Sequence, residues 1–228
     1  MELVSISLAR IAVFLELQSL DPHGRQNSPE AAHVLVQRYA FARGPKTIEE
    51  MDFQKGVTFS AGRFEGIAID QIQVFNNGVI IDTRSSTDDC SRVLNDLLAA
   101  AREKNGANLN PSRMHHVSQI LFRSKLKLAL LNPLLQPIAD RLSEQTSKDL
   151  SHPIRFEPAA ILLGPDTWQL KITPSVFSIE RRAEVPFNES TYFSGAPLPT
   201  ADHLKLIDEV ETALTPRPTA KVPRTSIS

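Results

Sequence analysis

Hydrophobic residues recur at two periods along this chain, and each change of period marks a predicted element. Between Arg10 and Leu17 apolar side chains occupy every second position, which is typical of a β-strand. A polar cluster follows, and Ser28 and Pro29 then supply an N-cap and a first helical residue for an amphipathic helix over 29–41. The first two elements are therefore predicted to be a strand and a helix.

The clearest local pattern lies between Phe64 and Thr83. Apolar residues alternate in one phase up to Ile69 and in the other phase from Ile72, which predicts a β-bulge at Asp70–Gln71. Asn77-Gly78 is typical of a type I′ turn, in which both central residues have positive φ. The segment is therefore predicted to be a β-hairpin whose second strand includes 79–81.

Helical spacing returns after this hairpin. Ser86 is a good N-cap with Asp89 at the third helical position, and apolar residues at helical spacing continue the helix towards Gly106. Residues 114–128 are rich in β-compatible types and predict another strand. A third helix is predicted to open at Asn132-Pro133. Its predicted core face consists of Leu134, Leu135, Ile138, Ala139 and Leu142.

Short strands dominate the C-terminal third. Alternating apolar residues over 154–179 predict three or four strands, whereas 188–200 has no regular period and predicts a long irregular connection. Thr200 is predicted to cap a last helix. The order is therefore roughly β-α-β-β-α-β-α-β-β-β-α. It favours an α+β fold, with a mixed, mostly antiparallel sheet covered by about four helices.

The domain organisation follows from the same pattern. The sequence shows no internal repeat, and residues 1–214 are predicted to form a single α+β domain. Residues 215–228 carry three prolines and three basic residues without apolar periodicity, so they are predicted to be a disordered, basic tail.

Composition narrows the classes of function. The chain has 25 basic and 26 acidic residues and a net charge of -1, which argues against general nucleic-acid binding. Cys90 is the single cysteine, so an internal disulfide is ruled out and a reducing compartment is favoured. The N-terminus makes a poor signal peptide, and the longest apolar run, 128–131, is far too short to span a bilayer. We therefore expect a cytoplasmic protein without membrane binding.

Acids and hydroxyls crowd the joint between the hairpin and the next helix, at 82–89. A helix N-terminus offers free N–H groups to an anion, so this joint is one candidate site for a phosphorylated or nucleotide ligand. The residues of this hypothetical site are Asp82, Thr83, Arg84 and Thr87, with Arg181 or Arg182 neutralising the anion. Such a site would make the chain a small enzyme or a ligand-binding protein.

The same joint also fits a purely structural interpretation. Phosphate-binding glycine patterns are absent, and Asp88 and Asp89 would repel an anion while favouring the start of a helix. A strand followed by a capped helix then accounts for most of the segment. Asp82, Thr83 and Arg84 are left without a structural role, so a functional claim for the joint depends on them.

Other chemical signals are weak. His115 and His116 are neighbours on a predicted strand and point to opposite faces, so they are poorly placed to share one metal ion. Cys90 falls on the apolar face of its helix and is predicted to be a buried structural cysteine. A nucleophile elbow of the Gly-x-Ser-x-Gly type is absent. The sequence therefore predicts no catalytic residue, no metal and no cofactor.

Aromatic residues in the predicted irregular connection are the candidate contact residues. Tyr192 and Phe193 lead this group, with Phe187 beside them, because long loops with apolar residues either pack over a core or meet a partner. The sequence thus favours a non-enzymatic subunit that associates with a protein partner or with itself. A small enzyme or binding protein acting at the 82–89 joint is the alternative.

Overall fold

The computed structural model describes residues 1–15, 29–47, 49–105, 111–148, 150–168 and 173–214. The strands are β1 (Glu2–Leu15), β2 (Val57–Phe64), β3 (Ile67–Phe75), β4 (Gly78–Thr83), β5 (Pro111–Arg123), β6 (Ala160–Leu163), β7 (Phe177–Arg181) and β8 (Thr191–Ala196). The α-helices are α1 (Pro29–Arg38), α2 (Thr87–Asn105), α3 (Gln136–Ser147) and α4 (Thr200–Leu214). The predicted tail at 215–228 lies outside the described residues, so the domain boundary at 214 stays a prediction.

All eight strands belong to one sheet, in the order β2-β3-β4-β1-β5-β8-β7-β6. Each pairing between neighbouring strands is antiparallel. The α+β class is therefore confirmed, and the sheet is fully antiparallel in its described ladders rather than mixed.

The sheet order is that of two similar halves joined at β1 and β5. The first unit (1–105) and the second unit (111–214) each have the element order β-α-β-β-β-α, and their strands add outward from the central pair in the same sequence. The two units share this topology although their amino-acid sequences show no internal repeat. The two units can share a topology because strand order depends on the pattern of buried faces rather than on particular side chains.

The main core lies between the sheet and two helices of the first unit. Ile11 and Val13 of β1 point to this face, while Arg10 and Ala12 point to the opposite one. The core takes buried residues from every element of the first unit, including both α1 and α2. Burial of this apolar area is the main favourable term in folding the first unit.

A second, smaller core lies under α4. Buried side chains of β5, β7 and β8 pack there against Ile207, and the predicted apolar face of α4 is confirmed by Leu204, Val210 and Leu214. None of the described residues of α3 belongs to either core. The four predicted helices are present, and α3 differs from the other three in adding no side chain to either core.

Two strands escaped the sequence analysis. β2 does not alternate along its whole length, because Ala61 has a left-handed φ of 57° and shifts the pattern between Phe59 and Gly62. The prediction of an irregular connection over 188–200 is wrong, since 191–196 is strand β8. Buried and partly buried positions alternate along β8, but one of the buried positions is Ser194. The strand therefore shows no alternation of apolar and polar residues in the sequence.

The predicted bulge is confirmed, but the turn beside it has a different geometry. The register of β3 against β4 shifts between Ile69 and Gln71. Phe75 pairs with Gly78, so the two-residue loop is Asn76-Asn77, and neither these residues nor Gly78 has a positive φ. The type I′ prediction is therefore wrong. Gly78 is required for another reason, because a Cβ there would lie 2.3 Å from the Val13 carbonyl oxygen.

The geometry of a type I′ turn occurs instead in the preceding hairpin. Phe64 pairs with Ile67, and the loop between them has positive φ at both residues, 45° at Glu65 and 85° at Gly66. The sequence pattern of Glu-Gly was less distinctive than that of Asn-Gly. The hairpin β2–β3 was consequently missed.

Candidate functional site

The first predicted site residue, Asp82, is buried in an ion pair. Arg10 of β1 donates from Nε and Nη2 to the two carboxylate oxygens of Asp82, each at 2.7 Å. The pair lies on the sheet face opposite to the helices, because Arg10 and Asp82 are register partners. Asp82 therefore has a structural role that the sequence alone had not provided.

Thr83 and Arg84 also have local partners. The Thr83 hydroxyl is buried on the helix side and donates to the Ser86 carbonyl at 3.2 Å. Arg84 is exposed, and its Nε donates to Asp70 at 2.7 Å. Adjacent residues of a strand point to opposite faces, so Asp82 and Thr83 cannot bind one small ligand together.

Thr87 forms a reciprocal clamp with Thr200. The Thr87 amide donates to the Thr200 hydroxyl at 3.1 Å, and the Thr200 amide donates to the Thr87 hydroxyl at 2.9 Å. Each residue is the first of its helix, so the start of α2 and the start of α4 supply acceptors to each other. Thr200 was predicted to cap its own helix and instead serves the other unit. The predicted cap at Ser86 is confirmed by its bond from the Asp89 amide at 3.0 Å.

The arginine pair lies elsewhere in the sheet. Arg181 pairs with Tyr192 near the start of β8, whereas Thr200 and its partner Thr87 lie beyond the end of β8. Four residue steps along β8 amount to roughly 13 Å. Arg181 donates to Glu157 at 3.2 Å and lies over the Tyr192 ring, while Arg182 is exposed. The structure therefore does not bring the arginines to the joint.

A shallow depression on the open face retains part of the predicted ligand site. It has a volume of about 510 Å³, and its lining includes Asp82, Arg84, Asp70 and Arg43. Two arginines and two aspartates meet here, and the Asp82 and Asp70 carboxylates already accept from Arg10 and Arg84. The Arg43 side chain has no hydrogen-bonding partner among the described residues. A ligand would have this one guanidinium available without disrupting an existing ion pair.

The predicted contact residues divide between the core and the opposite face. Tyr192 is fully buried, stacks on Phe122 and donates its hydroxyl to the Leu126 carbonyl oxygen. Phe193 is half-buried on the opposite face of β8. The structure does not describe the side chain of Phe187. Tyr192 therefore stabilises the second core. Phe193 is the predicted contact residue whose side chain, among those described, reaches the surface.

Cys90 and the histidine pair have the predicted structural character. Cys90 is buried, donates to the Ala9 carbonyl at 3.2 Å, and its burial raises the thiol pKa to about 11. Such a thiol is a poor nucleophile. His115 and His116 lie on opposite faces of β5, and burial lowers the pKa of His116. In the described ranges, no three His, Cys, Asp or Glu side chains come together as metal ligands would.

A buried serine–histidine contact lies in the second unit. His203 Nε2 is 2.9 Å from the Ser194 hydroxyl, and that hydroxyl also donates to the Ser178 carbonyl at 2.6 Å. Both side chains are fully buried, and His203 Nδ1 has no hydrogen-bond partner among the described residues. Burial lowers the pKa of His203 to about 4. A substrate cannot reach these buried side chains, and no described carboxylate bonds to His203 Nδ1. This pair therefore lacks the arrangement of a catalytic dyad.

The feature that sequence reasoning placed wrongly is the apolar face predicted for the third helix, which lies partly on α3 and partly on the short turns just before it. Ala139 is buried, but the rest of the predicted core face is exposed: Leu134 by 82%, Ile138 by 57%, Leu142 by 42% and Leu135 by 41%. Leu130 and Leu131 in the preceding turn are exposed to a similar degree. We call these six residues, Leu130, Leu131, Leu134, Leu135, Ile138 and Leu142, the aliphatic stripe.

The inward side of α3 is made of small and polar residues instead. The Ser143 hydroxyl accepts from the Phe156 amide at 2.9 Å, and the Ser147 hydroxyl accepts from the Ile154 amide at 2.9 Å. These bonds attach α3 to the segment that leads into β6. The helix therefore packs by hydrogen bonds, and its aliphatic stripe meets solvent.

The two edges of the sheet differ as well. On the β2 edge, Arg43 and Ser60 exchange hydrogen bonds of 3.2 and 2.8 Å, and the Arg63 amide donates to the Tyr39 carbonyl at 2.7 Å. The chain over 39–43 thus covers this edge. On the β6 edge, no described residue bonds to the outward groups of Ala160 and Leu162. Unpaired edge groups are a template for another strand.

Comparisons with known proteins give no relative from which a role could be transferred. No family model matches the chain, and no curated protein matches it. None of the helices in the described ranges combines the length and the apolar character that crossing a bilayer requires.

Proposed function

We propose that this chain is a non-enzymatic subunit that acts by associating with another polypeptide or with copies of itself. The orientation of α3 carries this proposal. Its small and polar side faces the protein, and its aliphatic stripe faces water. A group of exposed aliphatic side chains over 130–142 is typical of an interaction site, because a partner that covers them removes apolar area from water.

Three further observations support an associating role. The candidate catalytic groups are either buried, as with Cys90 and the Ser194–His203 pair, or already joined in ion pairs. The net charge of -1 leaves little repulsion between copies. Phe193 stays a candidate contact residue, on the face of β8 opposite to Tyr192. Tyr192 is buried, so it would support association only by stabilising the core.

The direct test replaces two members of the aliphatic stripe by charged residues. Ile138→Glu combined with Leu142→Glu is expected to weaken assembly at least tenfold, because a partner would have to bury two carboxylates. The matched control is Lys127→Glu, an exposed position in the same unit with the same change in charge. Assembly of the full chain is measured by sedimentation over a concentration series and by cross-linking in extracts of the source cell.

The expected pattern is loss in the double variant and retention in the control. Equal assembly and equal cross-linking of the wild type and the double variant would contradict the proposal. Far-UV circular dichroism of both variants checks that the fold is intact, which is expected because the substituted side chains are already exposed.

Ligand binding in the depression on the open face is a second candidate function. The Arg43 guanidinium supports it, since this group lines the depression without a hydrogen-bonding partner among the described residues and guanidinium groups bind phosphate well. Nucleotides, sugar phosphates and inorganic phosphate are expected to raise the unfolding midpoint of the wild type and not of Arg43→Gln. A midpoint that none of these ligands changes would remove this candidate.

A further inference from the structure

The depression on the open face lies over one row of register partners that runs across the sheet. Arg43 pairs with Ser60 of β2, and Ser60 pairs with Gln71 of β3. The row continues through Asp82 of β4 to Arg10 of β1. Directly paired residues project their side chains to the same face of a sheet. All members of this row except Arg10 line the depression.

The β-bulge of β3 adds a carboxylate beside this row. The register of β3 against β4 shifts between Ile69 and Gln71, so Asp70 is the extra residue. Adjacent residues of a regular strand point to opposite faces, but here Asp70 and Gln71 both line the depression. Bulges occur often beside active sites, where they re-aim a side chain in this way.

The charges around the depression leave one cation in excess. The Asp82 carboxylate accepts from Arg10, and the Asp70 carboxylate accepts from Arg84 at 2.7 Å. These two ion pairs cancel, whereas the Arg43 guanidinium has no partner among the described residues. A guanidinium can donate two parallel hydrogen bonds to a phosphate group. The Arg43 end of the row therefore favours an anion.

Neutral polar side chains lie between this cation and the carboxylates. The side chains of Ser60 and Gln71 have no hydrogen-bond partner in the part of the chain that the structure describes. Hydroxyl and amide groups both donate and accept, and a carboxylate accepts from the hydroxyl groups of a ligand. The row from Arg43 to Asp82 crosses three strand spacings, or roughly 14 Å. A ligand with a phosphate at one end and hydroxyl groups along the rest matches this order.

We infer that the depression binds a sugar phosphate, with the phosphate on Arg43 and the sugar hydroxyls on Ser60, Gln71 and Asp70. This inference rests on the ligand-binding function proposed above as the second candidate, and it names the class of ligand. Among the described residues that line the depression, none is aromatic. A nucleobase would find no ring on which to stack, so the lining favours a sugar phosphate over a nucleotide.

Isothermal titration of the full chain with four probes tests the class of ligand. The probes are glucose phosphorylated on its primary hydroxyl, glucose itself, inorganic phosphate and adenosine monophosphate. The glucose phosphate is expected to bind about tenfold more tightly than inorganic phosphate or glucose, because it makes both sets of contacts. Its affinity should fall as the salt concentration rises. Equal binding of inorganic phosphate and the glucose phosphate, or tighter binding of adenosine monophosphate, would overturn the inference.

Variants along the row separate the phosphate contact from the hydroxyl contacts. Gln71→Ala and Ser60→Ala are each expected to weaken binding of the glucose phosphate about fivefold and to leave inorganic phosphate unchanged. Arg43→Gln should abolish binding of both probes. Arg113→Gln, at an exposed position outside the depression, is the matched control and should bind both as the wild type does. Circular dichroism checks the fold of each variant. Unchanged affinity for the glucose phosphate in both alanine variants would contradict the assignment of the hydroxyl contacts.

The outcomes distinguish this inference from the function on which it rests. Inorganic phosphate that binds the wild type and not Arg43→Gln, without a gain for the glucose phosphate, would overturn the sugar phosphate and keep ligand binding as the second candidate. Failure of all four probes to bind would remove both. Neither result bears on association through the aliphatic stripe, which depends on other residues.

Discussion

The two units of the sheet share an element order but differ in how they use the first helix. In the first unit, α1 contributes Ala32 to a core that draws on every element of that unit. In the second unit, α3 contributes no described residue to the core, and the aliphatic stripe of α3 and the turns before it faces solvent. The same topology therefore leads to two different surfaces. The first unit buries its apolar side chains, and the second leaves a set of them exposed to solvent.

Core truncation should show the largest difference between the units. Ile81→Ala removes a fully buried side chain of the first core and is expected to lower the free energy of unfolding by about 3 kcal/mol. Ile138→Ala, on the aliphatic stripe, is expected to change it by less than about 0.5 kcal/mol. Urea unfolding of the two variants measures both values. Similar losses would mean that α3 is part of the stabilising core, and the contrast between the units would be wrong.

The buried ion pair gives the next largest effect. Arg10→Met leaves the Asp82 carboxylate buried without its partner and is expected to cost about 2 kcal/mol, somewhat below the value for a fully buried pair because Arg10 is partly exposed. Arg84→Met, in an exposed pair with Asp70, is the control and should cost under about 0.5 kcal/mol. Adding Asp82→Leu to Arg10→Met should restore stability. Failure of that rescue would show that the pair does more than neutralise charge.

His203 should make the second unit sensitive to acid. Its folded pKa of about 4 lies below the ordinary value of 6.5, so between these values the unfolded chain binds a proton that the folded chain does not. Stability is therefore expected to fall by about 1.4 kcal/mol per pH unit as the pH drops from about 6.5 to 4, and this contribution then levels off. His203→Phe should lack this component, and His152→Phe, an exposed control, should keep it. Denaturant unfolding at several pH values measures the slope, and identical slopes in the two variants would contradict the assignment.

The clamp between the helix starts should give the smallest effect. Thr87→Val and Thr200→Val each remove the acceptor for an amide of the other unit, and each is expected to cost about 1 kcal/mol. Because the two residues are in contact, the double variant should depart from the sum of the single effects. Thr212→Val, at an exposed position, is the control. Strict additivity would show that the units are joined by the sheet and not by the clamp.

The elements found from the sequence are those whose periodicity is local and uninterrupted. The hairpin β3–β4 and the helices α2 and α4 meet this condition, so the α+β class followed from them. β2 and β8 were missed because their buried positions are not consistently apolar. β2 contains a left-handed Ala61, and β8 buries Ser194 through bonds to a carbonyl and a histidine. Such partners are distant in sequence, so no local pattern could have indicated them.

The structural roles of the predicted site residues depend on distant partners in the same way. Asp82 and Arg84 lacked a structural role because their partners, Arg10 and Asp70, become neighbours only once the strand register is known. The α3 face was predicted correctly as an amphipathic pattern and wrongly as a core face. Helical spacing indicates that one side of a helix is apolar, but it does not say whether the covering surface belongs to the same chain.

The cover on the β2 edge has a consequence for assembly size. An antiparallel sheet with two open edges could add copies at both and grow without limit. Here the chain over 39–43 occupies the β2 edge through the paired Arg43 and Ser60, so that edge offers no strand-pairing site over these residues. Strand addition at the described residues of the β2 side is therefore blocked by the chain's own backbone, so the sheet cannot be extended from both edges at once.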